Sequence, residues 1–184
     1  MNIPRPIPGA TVLAKGRFVS LMRTPSGWEY LERAHSPLAA VIIAVTPEGK
    51  LLLVEQTRPP IGARCIELPA GLVGDLEDAR EESVLDAARR ELLEETGYDA
   101  ARMEIVAHGP PSPGLSSEYV VLVLARELTR SGPGGGVDGE DIVLHEIHLP
   151  DVPGWLAQKQ TDGAMVDPKI FGGLWFAERA VGCP

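Results

Sequence analysis

Arg90-Glu91-Leu92-Leu93-Glu94-Glu95-Thr96-Gly97-Tyr98 sets three carboxylates within five residues and ends on a glycine. From residue 83 to residue 96 the apolar positions recur with a period near 3.6, which predicts a helix of three to four turns. Ser83, with Asp86 three residues on, forms the Asp version of a capping box, and Gly97 is a suitable C′ stop. Val84, Leu85, Ala88 and Leu92 fall on one stripe, and Ala87, Glu91, Glu94 and Glu95 on another. Like charges three or four residues apart cost a helix about 0.2–0.5 kcal/mol per pair. Glu94 and Glu95 also stand in the last turn, where the helix dipole disfavours negative charge. Helix stability alone therefore argues against these residues. A hard divalent cation such as Mg²⁺ or Mn²⁺, which takes oxygen ligands, reverses both penalties. The competing reading of the three residues alone is a solvated acidic face.

Working outward, residues 12–22, 28–33 and 38–46 alternate in the manner of strands, with Thr24-Pro25-Ser26-Gly27 as the first turn. A hairpin followed by a third strand is expected. Residues 41–45 and 51–54 are continuous apolar runs joined by Pro47-Glu48-Gly49-Lys50, and they are the predicted core strands. Downstream, 103–107, 119–127 and 142–149 read as strands and 167–181 as a C-terminal helix with Pro168 at N1. Gly132-Pro133-Gly134-Gly135-Gly136 reads as a mobile loop.

The 184 residues suit one compact domain, and 17 Lys plus Arg against 26 Asp plus Glu give a formal net charge of −9. Such a balance argues against a nucleic-acid binder. Nine acids and three bases lie between residues 75 and 95, so most of the excess is local to the acidic helix and the segment before it. The longest apolar run, residues 38–45, is too short for the roughly 20 residues of a membrane span. Residues 1–10 carry no apolar signal core, so a cytoplasmic protein is expected. Cys65 and Cys183 suggest neither a disulfide framework nor a zinc site, and His35, His108, His145 and His148 are not expected to be ligands. Trp155, Trp175 and Phe176 are read as core.

Residues 90–98 match every fixed position of the R-E-U-x-E-E-x-G-U half of the Nudix box, where U is bulky and apolar. Glu67-Leu68-Pro69-Ala70-Gly71 supplies the box glycine, in a context that resembles the ADP-ribose pyrophosphatases of the Nudix superfamily. The chain departs from the pattern in one respect: five extra residues lie between Val73 and Ser83. We assign the box glutamate to Glu82, with Glu77 as the competing assignment. The resemblance implies an α+β Nudix fold, an α/β/α sandwich around a mixed β-sheet. It also implies an N-terminal antiparallel region over 1–37 that pairs or swaps in a homodimer, and a hydrolase domain over 38–184.

Carried over residue by residue, the resemblance implies that Glu91, Glu94, Glu95 and the Ala70 carbonyl ligate two or three Mg²⁺ (or Mn²⁺) ions. Arg90 would hold Glu82 in an ion pair and leave the other carboxylates free for metal. Gly71 would permit close backbone approach, a simple turn glycine being the alternative. Trp28, on the same strand face as Tyr30, is either a platform for adenine or half of an ordinary aromatic pair. Arg58 stands where relatives place a phosphate-binding arginine, and a guanidinium fork suits a diphosphate; Glu67 of the adjoining Glu67-Leu68-Pro69-Ala70-Gly71 segment is likewise assigned to substrate. Pro113 lies 16 residues after Gly97, a spacing associated with ADP-ribose hydrolysis. Gly114 and Glu118 of the same turn are assigned to substrate. Glu140 is the candidate base, with Asp138 and Glu118 the alternatives, although a solvated acidic loop also accounts for Glu140 and Asp138. The expected reaction is hydrolysis of ADP-ribose, a nucleoside diphosphate, to AMP and ribose 5-phosphate. The rivals are another nucleoside diphosphate sugar such as GDP-mannose, or a non-catalytic regulatory module.

Overall fold

The computed structural model describes residues 6–34, 36–74, 81–137 and 139–182. Glu77, Asp138, His35 and Cys183 therefore lie outside the described residues. Strands β1 (Thr11–Lys15), β2 (Val19–Arg23) and β3 (Glu29–Arg33) form an antiparallel sheet in that order. The single strand expected over 12–22 is thus two. The Gly16 N–H donates to the Val19 carbonyl at 2.8 Å and turns the chain back. A β-carbon at Gly16 would lie 2.9 Å from that oxygen, so the reversal depends on a glycine with no Asn-Gly or Pro-Gly signature beside it. The turn at residues 24–27 then joins β2 to β3, as expected, with the Thr24 N–H donating to the Trp28 carbonyl.

The expected mixed sheet is resolved into two four-stranded sheets. One has the order β7 (Ala70–Leu72), β4 (Leu38–Ala44), β9 (Tyr119–Arg130), β8 (Tyr98–Gly109). The other has the order β10 (Val143–His148), β5 (Lys50–Arg58), β6 (Ala63–Glu67), β11 (Met165–Val166). Each contains one parallel pair, β4 with β9 and β6 with β11, and is otherwise antiparallel. Helix α1 spans Val84–Thr96, α2 Val152–Thr161 and α3 Lys169–Gly182.

Strand alternation divides the core. Ala40, Ile42 and Ala44 of β4, with Leu52 of β5, pack toward Ala87, Ala88 and Leu92 of α1. Val41 and Ile43, with Leu51 and Leu53, pack toward Leu156 of α2 and Ile170 and Leu174 of α3. These buried runs have no polar face because helices cover both sides, which is the α/β/α arrangement. Helix α2 was not foreseen in the sequence. Pro150, Pro153 and Gly154 obscure any helical signal, but Pro153 sits in the first turn, where a missing N–H costs nothing, and only Val152 and Leu156 are buried.

Helix α1 is capped at both ends by its own sequence. Ser83 Oγ accepts the Asp86 N–H at 3.2 Å and donates to Asp86 Oδ2 at 2.7 Å. Gly97, at φ 75°, donates its N–H to the Leu93 carbonyl. The faces differ in part from the expected stripes. Ala87, Ala88, Leu92, Glu95 and Thr96 are buried, whereas Leu85 faces outward. A helix flanked by β7 and β8 needs small residues inside, and the two alanines supply them. No helix among the described residues is long and apolar enough to cross a membrane.

Candidate active site

A cleft of about 600 Å³ gathers residues from both sheets, from α1 and from the segments after β9 and β11. Arg58, Glu67, Ala70, Gly71, Glu91, Glu95, Glu118 and Glu140 all line it. Trp28, Gly114, Glu82, Arg90 and Glu94 do not. Trp28 is exposed and donates its Nε1–H to the Gly114 carbonyl at 3.3 Å, so these two meet each other outside the lining.

The floor of the cleft is where β7 passes the acidic face of α1. Gly71 has no left-handed backbone, and its reason is space: a β-carbon there would lie 1.8 Å from Glu91 Cδ. Glu95, 5% exposed, accepts the Ala70 N–H at 3.1 Å. Burial pushes its carboxyl up to about 8, the charges of Glu91 and Glu140 add to the rise, and the Ala70 N–H and Arg58 oppose it.

Arg90 is the hub of the remaining acids. Its Nε and Nη2 donate to the two oxygens of Glu82 at 3.1 and 3.2 Å, and Nη2 also reaches the Leu72 carbonyl at 3.3 Å. The Arg90–Glu82 pair expected from the resemblance is present, and Glu82 accepts the Gly74 N–H as well. Arg90 does not leave the other carboxylates free, however. Nη1 donates to Glu91 at 2.7 Å and to Glu94 at 3.3 Å, so Glu82, Glu91 and Glu94 share one guanidinium. Among the described residues no three His, Cys, Asp or Glu side chains stand in a metal-enclosing arrangement. Arg90 offsets part of the charge of these acids as they stand.

Two further assignments change in detail. Arg58 is clasped by Glu67, Nε to Oε1 at 2.7 Å and Nη2 to Oε2 at 2.6 Å, which raises its affinity for its proton. Glu118 is paired with Arg33, whose Nε and Nη2 both reach Oε1, at 2.8 and 2.5 Å. Arg33 was missed because it meets Glu118 only through docking of β3 on residues 115–117. In that docking the Leu31 N–H donates to the Leu115 carbonyl and the Ser117 N–H to the Leu31 carbonyl. Asp167 and Lys169, a contacting pair at the start of α3, also line the cleft and were read only as a helix start. The β6–β11 pairing brings them there, and two-residue β11 leaves no strand signal in the sequence.

The glycine-rich loop is docked rather than loose. The Gly135 and Gly136 N–H groups donate to the carbonyls of Glu95 and Glu94, and those of Ser131 and Gly132 to Gly97. These bonds satisfy carbonyls that the end of α1 would otherwise leave open. Glu140 follows on an exposed turn and accepts the Val137 N–H at 3.2 Å.

The NUDIX domain family model matches residues 35–143. Over 130 residues the chain is 35% identical to the methanol dehydrogenase activator of Bacillus methanolicus, covering 70% of this chain and 68% of that one. It is 37% identical over 116 residues to the ADP-ribose pyrophosphatase of Bacillus subtilis, covering 62% of this chain and 60% of the relative. A crystal structure of an ADP compounds hydrolase superposes with a TM-score of 0.66 at 19% identity, over 98% of this chain and 95% of the other. The chain belongs to the Nudix family of hydrolases and is similar to its ADP-ribose pyrophosphatases.

Proposed function

We propose that this protein hydrolyses the diphosphate of ADP-ribose to AMP and ribose 5-phosphate with the help of a divalent cation. The observation that carries the reading is the cleft itself, where Glu91 and Glu95 of α1 stand with the loop carboxylate Glu140 and the guanidinium of Arg58. The donor set suits a hard cation, since every candidate ligand is oxygen. Glu95 is a buried carboxyl with one N–H to offset its charge, a deficit that a cation relieves. Glu91, Glu94, Glu95 and the Ala70 carbonyl would hold Mg²⁺ or Mn²⁺. When bound, such ions neutralise diphosphate oxygens and acidify a water. Arg58, held flat by Glu67, would orient the diphosphate through its remaining edge. Glu140 would take the proton of the attacking water. Trp28, exposed beside the Gly114 turn, has the apolar face needed to stack on adenine.

A regulatory role is the second reading, favoured by the likeness to a relative named as an activator of methanol dehydrogenase. Purified protein with Mg²⁺ and a panel of nucleoside diphosphate compounds, products resolved by chromatography, separates the two. ADP-ribose is expected to be the preferred substrate. Preference for GDP-mannose refutes the substrate, and no hydrolysis of any member leaves the regulatory reading. Glu95→Gln should lower kcat at least about 100-fold, and Glu140→Gln by a similar factor with KM retained. A homodimer and a cytoplasmic location belong to the same proposal.

A further inference from the structure

Arg64 and Asp141 belong to neither the family's box nor the cleft lining, yet they form a continuous tie from the sheet to the residue next to Glu140. Arg64 is fixed in β6 by two bonds to one neighbour, Nε to Glu55 Oε1 at 2.8 Å and Nη2 to the Glu55 carbonyl at 2.9 Å. Its third arm, Nη1, reaches Asp141 Oδ2 at 2.6 Å. Glu55 is itself held, with His145 Nε2 at 2.9 Å and Lys159 at 3.8 Å from its other oxygen. Burial works upward on the Glu55 carboxyl, but His145, Arg64 and Lys159 outweigh it and the net shift is downward. Asp141 is 77% exposed at its side chain, so nothing buries it in place.

We propose that Arg64 is a positioning residue, which through Asp141 holds Glu140 at the cleft. The proposal rests on the reading of Glu140 as the base. The segment bearing Glu140 is fastened on its other side by the Gly135 and Gly136 N–H groups on α1, and Ile142 beyond it is buried. Docking on α1 sets where the segment starts, and the tie to Arg64 sets where it ends. An isolated exposed ion pair adds little stability. Placement is a different matter, because misplacing a reacting group by about 1 Å can cost about 100-fold in rate. Arg64 is already ordered by Glu55, so holding Asp141 requires little further loss of side-chain freedom.

The test compares Arg64→Ala, Asp141→Ala, Asp141→Asn and Glu140→Gln, singly and with Arg64→Ala combined with Glu140→Gln, using Mg²⁺ and ADP-ribose. Arg64→Ala and Asp141→Ala are expected to lower kcat about tenfold with KM changed by less than about twofold. Asp141→Asn, whose amide oxygen still accepts from Arg64, should retain most of the rate. In the Glu140→Gln background, Arg64→Ala should cost nothing further. An unchanged kcat in Asp141→Ala, or an equal loss in both backgrounds, overturns the tie. A Glu140→Gln protein at full rate overturns the base assignment and the tie with it. Amide hydrogen exchange in the metal-free protein reads the tie without turnover. Gly135 and Gly136 should exchange about fivefold faster in Asp141→Ala, and unaltered protection overturns the proposal.

Discussion

Glu95 concentrates the cost of building the site. A carboxyl whose pKa is raised to about 8 in the fold, against an ordinary value of 4.5, binds its proton more tightly folded than unfolded. Between those two values the folded protein carries the extra proton, so stability falls as pH rises through the window, by an amount on the order of a few kcal/mol. Thermal melts in chelator should therefore show Glu95→Gln progressively more stable than the parent from pH 5 to pH 8. A constant gap across that range would refute the burial argument. Adding Mg²⁺ should stabilise the parent more at pH 8 than at pH 6, because a cation competes with the proton for the same oxygens. Of the residues involved, the acids stood out by their spacing, which a solvated acidic face also explains, and only the match of residues 90–98 to the Nudix box pointed them to metal. For Gly71 the expectation was close backbone approach to metal and phosphate, or a simple turn. That its β-carbon position is filled by the Glu91 carboxylate is a contact between a strand and a helix, which no local pattern encodes.

At the scale of elements, α1 and the loop over 132–136 contrast in what the sequence reveals. Helix α1 is marked by its own Ser83 cap, its period and Gly97, all within 15 residues, so it was read with its ends correct. The loop is marked only by flexible residues, which predicts motion when no partner is known. Its partner is the open end of α1, and the glycines are there to fit against it. A β-carbon at Gly134 would lie 2.5 Å from the Thr96 carbonyl carbon, at a φ of 69° that side chains resist. Gly134→Ala should destabilise the protein by about 1–3 kcal/mol. If the loop sets Glu140, kcat should fall while KM for ADP-ribose holds. A substitution that leaves both melting temperature and kcat unchanged would mean that the loop is not held where the structure has it.

For the whole molecule, the question is what the N-terminal sheet does for the rest. The two large sheets share a core with three helices, but of the apolar residues in β1, β2 and β3 only Tyr30 is buried, and every residue of β1 is exposed. Val12, Leu13, Phe18, Val19 and Trp28 are exposed on this sheet and its turns, and none of them lines the active-site cleft. A three-stranded sheet with so little buried apolar surface is marginal in water, and exposed apolar residues in one region mark an association surface. This agrees with the homodimer proposed above, in which the second copy supplies the missing cover. Alternation marked this region as strands, and the resemblance together with a hairpin too small to stand alone pointed to a partner; alternation by itself cannot say whether that partner lies within the chain or beyond it. Light scattering should give twice the monomer mass. Phe18→Glu combined with Val12→Glu, both at exposed positions, should shift the protein to monomer while circular dichroism stays native. If the partner's sheet also forms part of the adenine platform, KM for ADP-ribose should rise in that monomer with kcat less affected. A parent protein that is monomeric at micromolar concentration would refute the dimer and leave the sheet's stability to its docking on residues 115–117.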